Sequence, residues 1–221
     1  MCLAFLKSSI GKKQIVATTG LLLIIFLIGH LAGNLLIYGG PEVFNGYAKK
    51  LASLRPGFYL IDGALFLVFL THIWFTTLVI LENIRSAGLI RYKVIKSRGE
   101  YPLATKLRVY TGFFLLLFVV WHVWDFSLSN HDGVRSLIAG KSMGLYGVVY
   151  NSFLNPIHSG LYIFAMLCIG YHLAHGVQSF MQTYGISDPE YIAMIHRVSN
   201  WFGIIIALGF SSIPVYVLMR G

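Results

Sequence analysis

The sequence predicts an all-α integral membrane protein, a bundle of five transmembrane helices that forms a single domain over residues 1–221. Hydrophobic residues make up 57% of the chain and charged residues only 11%, whereas about a quarter of the residues in a soluble domain are charged. Mean hydropathy is +0.72. Five apolar segments are long enough to cross a hydrocarbon core, which needs about 20 residues. We expect the helices at residues 14–38, 57–82, 107–128, 156–184 and 195–219.

The charges around the first helix predict its orientation. Lys7, Lys12 and Lys13 lie at the start of a full-length apolar segment that no small-residue cleavage site follows, so we expect a retained helix rather than a signal peptide. With the N-terminus inside, eleven of the 17 Lys and Arg residues lie inside and six outside, as the positive-inside rule requires. Five spans then place the C-terminus outside.

The connections between these helices give no sign of a second domain. The first outer connection begins with the turn signal Gly39, Gly40 and Pro41, and the inner connection over residues 82–106 holds most of the basic residues. We expect the outer segment 131–155 to include a short amphipathic piece along the interface. The basic residues lie at helix ends, which argues against nucleic acid as a partner despite a net charge of +9. We expect no internal sequence repeat.

Four histidines lie at the same depth along the first four helices. Counted from the predicted helix starts, the offsets to His30, His72, His122 and His172 are 15 or 16 residues. Successive helices run in opposite directions and rise about 1.5 Å per residue. His30 and His122 therefore fall in the outer half of the membrane, and His72 and His172 in the inner half. The sequence predicts two histidine pairs, which we call the outer pair and the inner pair.

Each pair has the ligand set of one b-type haem. Two imidazoles on opposite faces of a porphyrin give a six-coordinate iron suited to electron transfer, and metal-binding groups inside a membrane usually have a function. His175 lies three residues after His172 on nearly the same helix face, so it is the alternative fourth ligand. Small residues leave room for a flat macrocycle; they are Gly29 and Gly33 beside His30, and Gly170 and Gly176 beside His172.

The residues alone leave other roles open for the histidines. Any one of them is as readily explained by hydrogen bonding within a helix bundle. A zinc or copper site is a poorer match, because neither pair has a Cys, Met or carboxylate at the same depth. Cys2 and Cys168 belong to no CxxC pattern and are expected to be ordinary thiols. A metal or proton transporter with a histidine relay is a different class of function, although the interrupted helices of many transporters are missing.

Five segments spread over nearly the whole chain carry a resemblance to a known family. They are residues 18–38 (TTGLLLIIFLIGHLAGNLLIY), 41–48 (PEVFNGYA), 70–83 (LTHIWFTTLVILEN), 121–126 (WHVWDF) and 171–185 (YHLAHGVQSFMQTYG). Together they resemble the cytochrome b membrane-anchor subunit of succinate:quinone oxidoreductases and quinol:fumarate reductases. The class in question has one five-helix polypeptide and two haems.

The resemblance implies two b haems, with the outer pair as axial ligands of one and the inner pair as axial ligands of the other. It also implies a location in the cytoplasmic (inner) membrane of a bacterium, with a flavoprotein subunit and an iron-sulfur subunit on the cytoplasmic face. Electrons would pass between the iron-sulfur subunit and membrane menaquinone or ubiquinone. Succinate itself would not contact this chain. Where the family presents a single histidine, this chain has His172 and His175. A b-type anchor of another quinone-linked dehydrogenase is the alternative in the same class, and a higher oligomer is compatible with the sequence.

A quinone pocket needs an apolar slot, hydrogen-bond donors and a path to water, because quinone chemistry couples electrons to protons. Asp125 follows His122 by three residues, where a buried carboxylate can relay protons or serve only as a hydrogen-bonded interfacial acid. Candidates near a haem and an interface occur on both sides; they are Glu42, Asp125 and His131 on the outer side, and Ser8, Ser9, Gln14 and His175 on the inner side.

Overall fold

Five long helices dominate the chain in a computed structural model, in which the structure describes residues 2–54, 57–86, 103–186 and 188–221. Five helical segments within these ranges are long and apolar enough to cross a membrane, which confirms the all-α class and the five predicted spans. These segments are Ser9–Gly39, Tyr59–Ser86, Leu107–Ser127, Pro156–Thr183 and Ile192–Leu218. Much of the predicted inner connection, residues 87–102, lies outside the described residues.

The described ranges contain the following helices and strands. They are α1 (Cys2–Lys7), α2 (Ser9–Leu35), α3 (Pro41–Ser53), α4 (Gly57–Ser86), α5 (Leu103–His122), α6 (Gly144–Phe153), α7 (Pro156–Thr183) and α8 (Ile192–Leu218), with the short antiparallel strands β1 (Leu137–Ile138) and β2 (Lys141–Ser142) between α5 and α6.

Helix α2 begins five residues before the predicted start, because Ser8 caps it. The Gly11 N–H donates to Ser8 Oγ at 2.9 Å, which satisfies one of the amide groups that a helix start leaves unpaired. The first turns of α2 therefore include Lys12, whose ammonium group forms an ion pair with Glu82 near the end of α4. This contact holds the start of α2 beside the end of α4, as expected for antiparallel neighbours.

Two further helices occupy segments that the sequence analysis treats as connections. Gly40, with φ of +86°, precedes Pro41 at the start of α3, a position where proline loses no hydrogen bond. α6 lies within residues 131–155, where a short amphipathic piece is expected, and its position along a membrane interface stays a prediction. Asn45 joins the two helices: its amide donates to the Met143 carbonyl at 2.8 Å and accepts from the Tyr146 N–H at 3.0 Å.

The sequence predicts one regular helix over residues 107–128, but the third span ends differently. After His122, the last residue of α5, residues Val123–Ser127 form a π-helical turn. Such turns insert one extra residue into a helix and often occur at functional sites. The turn buries Asp125, whose side chain is 10% exposed, so the carboxylate lies inside the bundle near His122.

Helices α7 and α8 form a close pair within the bundle. Gly170 and Gly203 face each other, and a methyl group added at Gly203 would overlap the Gly170 carbonyl oxygen; small residues allow such approach between membrane helices. α2 packs on α4, α7 and α8, and α5 packs on α7. A cluster of buried apolar residues around Phe118, Tyr162 and Ile213 packs beside His122.

Candidate functional site

The outer pair meets inside the bundle. The rings of His30 on α2 and His122 at the end of α5 have centroids 5.8 Å apart and planes at 87°. Aromatic rings surround them, with Phe118 stacked on His122 at 5.7 Å and Phe210 at 5.8 Å from His30. The predicted proximity of His30 and His122 is therefore present in the structure.

The spacing of this pair fits two imidazoles that share one ion, since each metal–nitrogen bond is about 2 Å long. Among the described residues, no group of three or more His, Cys, Asp or Glu side chains is arranged to hold a metal. A zinc site takes three or four protein ligands, whereas a haem iron needs only axial ligands from the protein. The donor set therefore fits a haem better than a bare metal ion.

His72, the first member of the inner pair, lies against helix α2. Its Nδ1 is 3.1 Å from Thr19 Oγ1. A methyl group added at Gly20 would lie 3.3 Å from His72 Cε1 and 3.7 Å from Nδ1. The Nδ1–Cε1 edge of the imidazole therefore faces the helix, and the Nε2 atom is turned away from it.

His172, the second member, has the same surroundings on helix α5. Its Nδ1 is 3.4 Å from Thr111 Oγ1, and a methyl group added at Gly112 would lie 3.2 Å from Cε1. His172 is within electrostatic range of His72 and of His175. A threonine followed by a glycine thus supports each inner histidine.

The two pairs lie at two levels of the bundle. On α2, Thr19 supports the inner pair and His30 belongs to the outer pair, eleven residues later. At about 1.5 Å per residue these levels are ~16 Å apart along the helix. On α5, Thr111 and His122 are also eleven residues apart.

Neither Thr-Gly support was among the site residues predicted from the sequence. The pattern Thr-Gly, nine residues, His occurs at Thr19 to His30 and again at Thr111 to His122. Three matching residues among different neighbours do not make an internal sequence repeat, and the pattern gains a meaning only from the contacts of the Thr-Gly pairs in the structure.

The four glycines expected to leave room for a macrocycle have different surroundings. Gly33 lies against the ring of Tyr47, and Gly170 lies against Gly203, so both accommodate protein atoms. A methyl group at Gly29 or Gly176 would meet no atom within 4 Å. Of the four, only Gly29 and Gly176 therefore face open space. The predicted haem contacts of Gly29 and Gly33 stay predictions.

Asp125 is the centre of a polar cluster beside the outer pair. Its Oδ1 accepts from Arg135 at 2.8 Å, and its Oδ2 lies 2.8 Å from His158 Nε2. The Tyr162 hydroxyl also donates to Oδ2, at 2.9 Å. The same hydroxyl is 3.5 Å from Nδ1 of His122. Tyr162 therefore connects the buried carboxylate with a histidine of the outer pair.

An open cavity of about 240 Å³ adjoins this cluster. Six polar residues line it: Asp125, Arg135, Asn151, Ser152, Asn155 and His158. The cavity thus combines hydrogen-bond donors with a buried carboxylate, next to the outer pair. We call it the outer pocket.

A second open cavity, of about 350 Å³, lies on the opposite side of the bundle, next to the inner pair. Thr19, which contacts His72, forms part of its wall, and the Thr18 and Tyr184 hydroxyl groups are 2.5 Å apart in it. We call it the inner pocket; it is lined by Phe5, Gln14, Ile15, Thr18, Thr19 and Tyr184.

The other quinone candidates lie in neither pocket lining. Glu42 is exposed in the first turn of α3, where a negative charge favours the helix start. His131 Nε2 is 2.9 Å from the Phe126 carbonyl oxygen, so His131 serves the end of the π-helical turn. Ser9 is exposed at the start of α2. His175 is half-buried and close enough to Arg108 for the two side chains to interact electrostatically.

Comparison with known proteins supports the resemblance stated from the motifs. The chain is similar to the succinate dehydrogenase cytochrome b558 subunit of Bacillus subtilis (strain 168), with 27% identity over 191 residues that cover 85% of this chain and 84% of the relative. No family model and no solved structure matches the chain. The similarity to a cytochrome b anchor subunit is thereby confirmed, and the five spans with a bacterial relative support a multi-pass protein of the cytoplasmic membrane.

Proposed function

We propose that the chain is a di-haem cytochrome b anchor subunit of a succinate dehydrogenase or fumarate reductase complex, and that it transfers electrons between an iron-sulfur subunit and membrane quinone. One observation carries the proposal. Four half-buried histidines occupy two levels of one bundle, with the His30 and His122 rings 5.8 Å apart, in a chain similar to a succinate dehydrogenase cytochrome b subunit. Isolated packing histidines have no reason to share two depths in this way.

His30 and His122 would hold one haem b, and His72 and His172 the other. Bound there, each haem would supply a one-electron carrier. The chain itself would hold the imidazole rings of the outer pair among aromatic side chains, with Phe118 beside His122 and Phe210 beside His30.

For the fourth ligand we propose His172 rather than His175. His172 contacts Thr111 and Gly112 in the way that His72 contacts Thr19 and Gly20. The two ligands of one haem would then have matching supports on α2 and α5. His175 lies about one turn further along α7, where it interacts electrostatically with Arg108.

The partner subunits follow from the same proposal. A flavoprotein and an iron-sulfur protein would bind on the inner face, near the start of α2 and the end of α4, where Lys12 pairs with Glu82. Succinate or fumarate would react on the flavoprotein and not on this chain. Extraction in mild detergent should therefore recover both partners with the chain.

The outer pocket is the site that we propose for quinone reaction. It offers donors from Arg135, Asn151 and His158, and Asp125 links it through Tyr162 to His122. Because quinone reduction takes up two protons with two electrons, the pocket needs groups that exchange protons. The polar side chains that line the inner pocket are hydroxyl groups and the Gln14 amide. That pocket therefore offers space for a quinone ring but no carboxylate comparable to Asp125.

The haem content tests the proposed function. A pyridine haemochrome of the purified complex should give about two b haems for each copy of this chain. His72→Ala should remove one haem and His30→Ala the other, because each substitution leaves one level with a single ligand. His196→Ala in α8, outside both pairs, is the matched control and should retain both haems. A wild-type complex without haem would refute the proposal.

A further inference from the structure

The proton of each supporting threonine is already used within its own helix. The Thr19 hydroxyl donates to the Ile15 carbonyl at 2.7 Å, and the Thr111 hydroxyl donates to the Leu107 carbonyl at 3.0 Å. A hydroxyl group has one proton and two lone pairs. With its proton committed to the backbone, the threonine oxygen can only accept from a third group.

The histidine nitrogen beside each oxygen must then be the donor. Nδ1 of His72 is 3.1 Å from Thr19 Oγ1, and Nδ1 of His172 is 3.4 Å from Thr111 Oγ1. If Nδ1 carries the proton, Nε2 of the neutral ring carries the lone pair. The lone pair is the feature that a metal ligand requires.

The glycine after each threonine fixes the position of the ring. Its missing side chain lets the imidazole edge approach the helix, since a methyl group would stand 3.3 Å from His72 Cε1 and 3.2 Å from His172 Cε1. That distance is tighter than ordinary van der Waals contact. The threonine oxygen, together with a backbone carbonyl (Val16 for His72, Arg108 for His172), therefore favours the proton on Nδ1, and the glycine sets where the other nitrogen points.

We propose that Thr19 and Thr111 are positioning residues for the inner haem: their hydroxyl oxygens accept from Nδ1 of His72 and His172 and thereby present both Nε2 atoms as iron ligands. The inference rests on the proposed haem function. Loss of such a partner to a metal-bound histidine typically weakens metal binding about 10–100-fold and lowers the basicity of the ligand.

The test compares Thr19→Val and Thr19→Ser in the whole complex. Valine keeps the shape and removes the hydroxyl group, whereas serine keeps the hydroxyl group and removes the methyl group. We expect Thr19→Val to speed loss of the inner haem roughly 10–100-fold on dilution in detergent and to shift its midpoint potential upward, because a less basic ligand stabilises ferric iron less. Thr19→Ser should behave as wild type. Thr111 variants should give the same result.

The matched control is Thr77→Val in α4. Thr77 makes the same backbone hydrogen bond, to the Ile73 carbonyl at 2.8 Å, and lies five residues from His72. It should change neither haem retention nor potential. If Thr19 serves only packing, the order reverses, with valine harmless and serine harmful, and the inference is wrong. Wild-type protein with two haems and an unchanged Thr19→Val variant would also overturn it, whereas wild-type protein without haem would refute the proposed function itself.

Discussion

At the scale of the residue, Asp125 shows how a charge is kept inside the outer end of the bundle. The Asp125 side chain is 10% exposed, and its carboxylate accepts from Arg135 and Tyr162, with His158 2.8 Å away. A buried charge is tolerated when it is paired and hydrogen-bonded. The sequence identified Asp125 by its distance from His122, but not its partners. Arg135 and His158 are ten and 33 residues away, and only the π-helical turn and the start of α7 bring them together.

Asp125→Asn should reduce succinate:quinone activity about 100-fold, the lower range for loss of an acid or base, while haem content stays at the wild-type level. Asparagine preserves the shape and can still contact Arg135. Quinone-dependent turnover and electron transfer to a water-soluble dye are measured on the same preparation. Gln14→Leu is the matched substitution in the inner pocket. If Gln14→Leu abolishes quinone turnover and Asp125→Asn does not, the reaction belongs to the inner pocket.

The fourth ligand is also a question of single residues. We expect His172→Ala to lose the inner haem and His175→Ala to retain it, because only His172 has been placed against Thr111 and Gly112. Haem stoichiometry and the low-temperature optical spectrum of the two variants, prepared side by side, check this. Haem loss in His175→Ala alone would assign the ligand to His175.

At the scale of the element, length and apolar composition were enough to find the five spans, but they did not predict α3 and gave α6 only as a short piece without bounds. α3 spans 13 residues and α6 ten, too few to cross a membrane, and Gly40 with Pro41 resembles a turn as much as a helix start. The π-helical turn was also missed, since a single inserted residue leaves no periodic signal in a segment that is apolar all round. Gly170 was assigned to haem clearance, yet it packs on α8.

Gly203→Ala should destabilise the α7–α8 pair by about 1–3 kcal/mol, the usual cost of adding atoms to a close-packed contact. The added methyl group would overlap the Gly170 carbonyl oxygen, so the helices must separate. Gly160→Ala in α7 is the control, because a methyl group there meets no atom within 4 Å. Thermal unfolding followed by circular dichroism in detergent measures both. Equal melting temperatures for the two variants would show that the helices do not touch at this point.

At the scale of the whole molecule, the sequence predicted two histidine levels because helix direction and depth depend only on the order of the spans. The contact between His30 and His122 agrees with that reasoning. The Thr-Gly supports could not be predicted in the same way, since they depend on the rotation of α4 about α2 and of α7 about α5. That rotation is set by side-chain packing, which a hydropathy pattern does not contain.

The inside N-terminus remains a prediction, and thiol labelling tests it. Ser53 ends α3 and Ser86 ends α4, and both are exposed. In a Cys2→Ser background, Ser53→Cys should react with a membrane-impermeant maleimide in intact cells, whereas Ser86→Cys should react only after permeabilisation. Cys168 is buried and should contribute little background. The reverse pattern would place the N-terminus outside.

The equal spacing on α2 and α5 has a mechanical consequence. Helices α2 and α5 each carry one proposed ligand of the outer haem and, eleven residues away, the threonine that contacts a proposed ligand of the inner haem. The distance between the two levels would therefore be set by helix geometry rather than by loop conformation. Inserting a single alanine between Gly20 and His30 would turn the latter by about 100° and advance it by about 1.5 Å. One centre would then lose its axial bond while the other stayed intact, although no coordinating side chain had been changed.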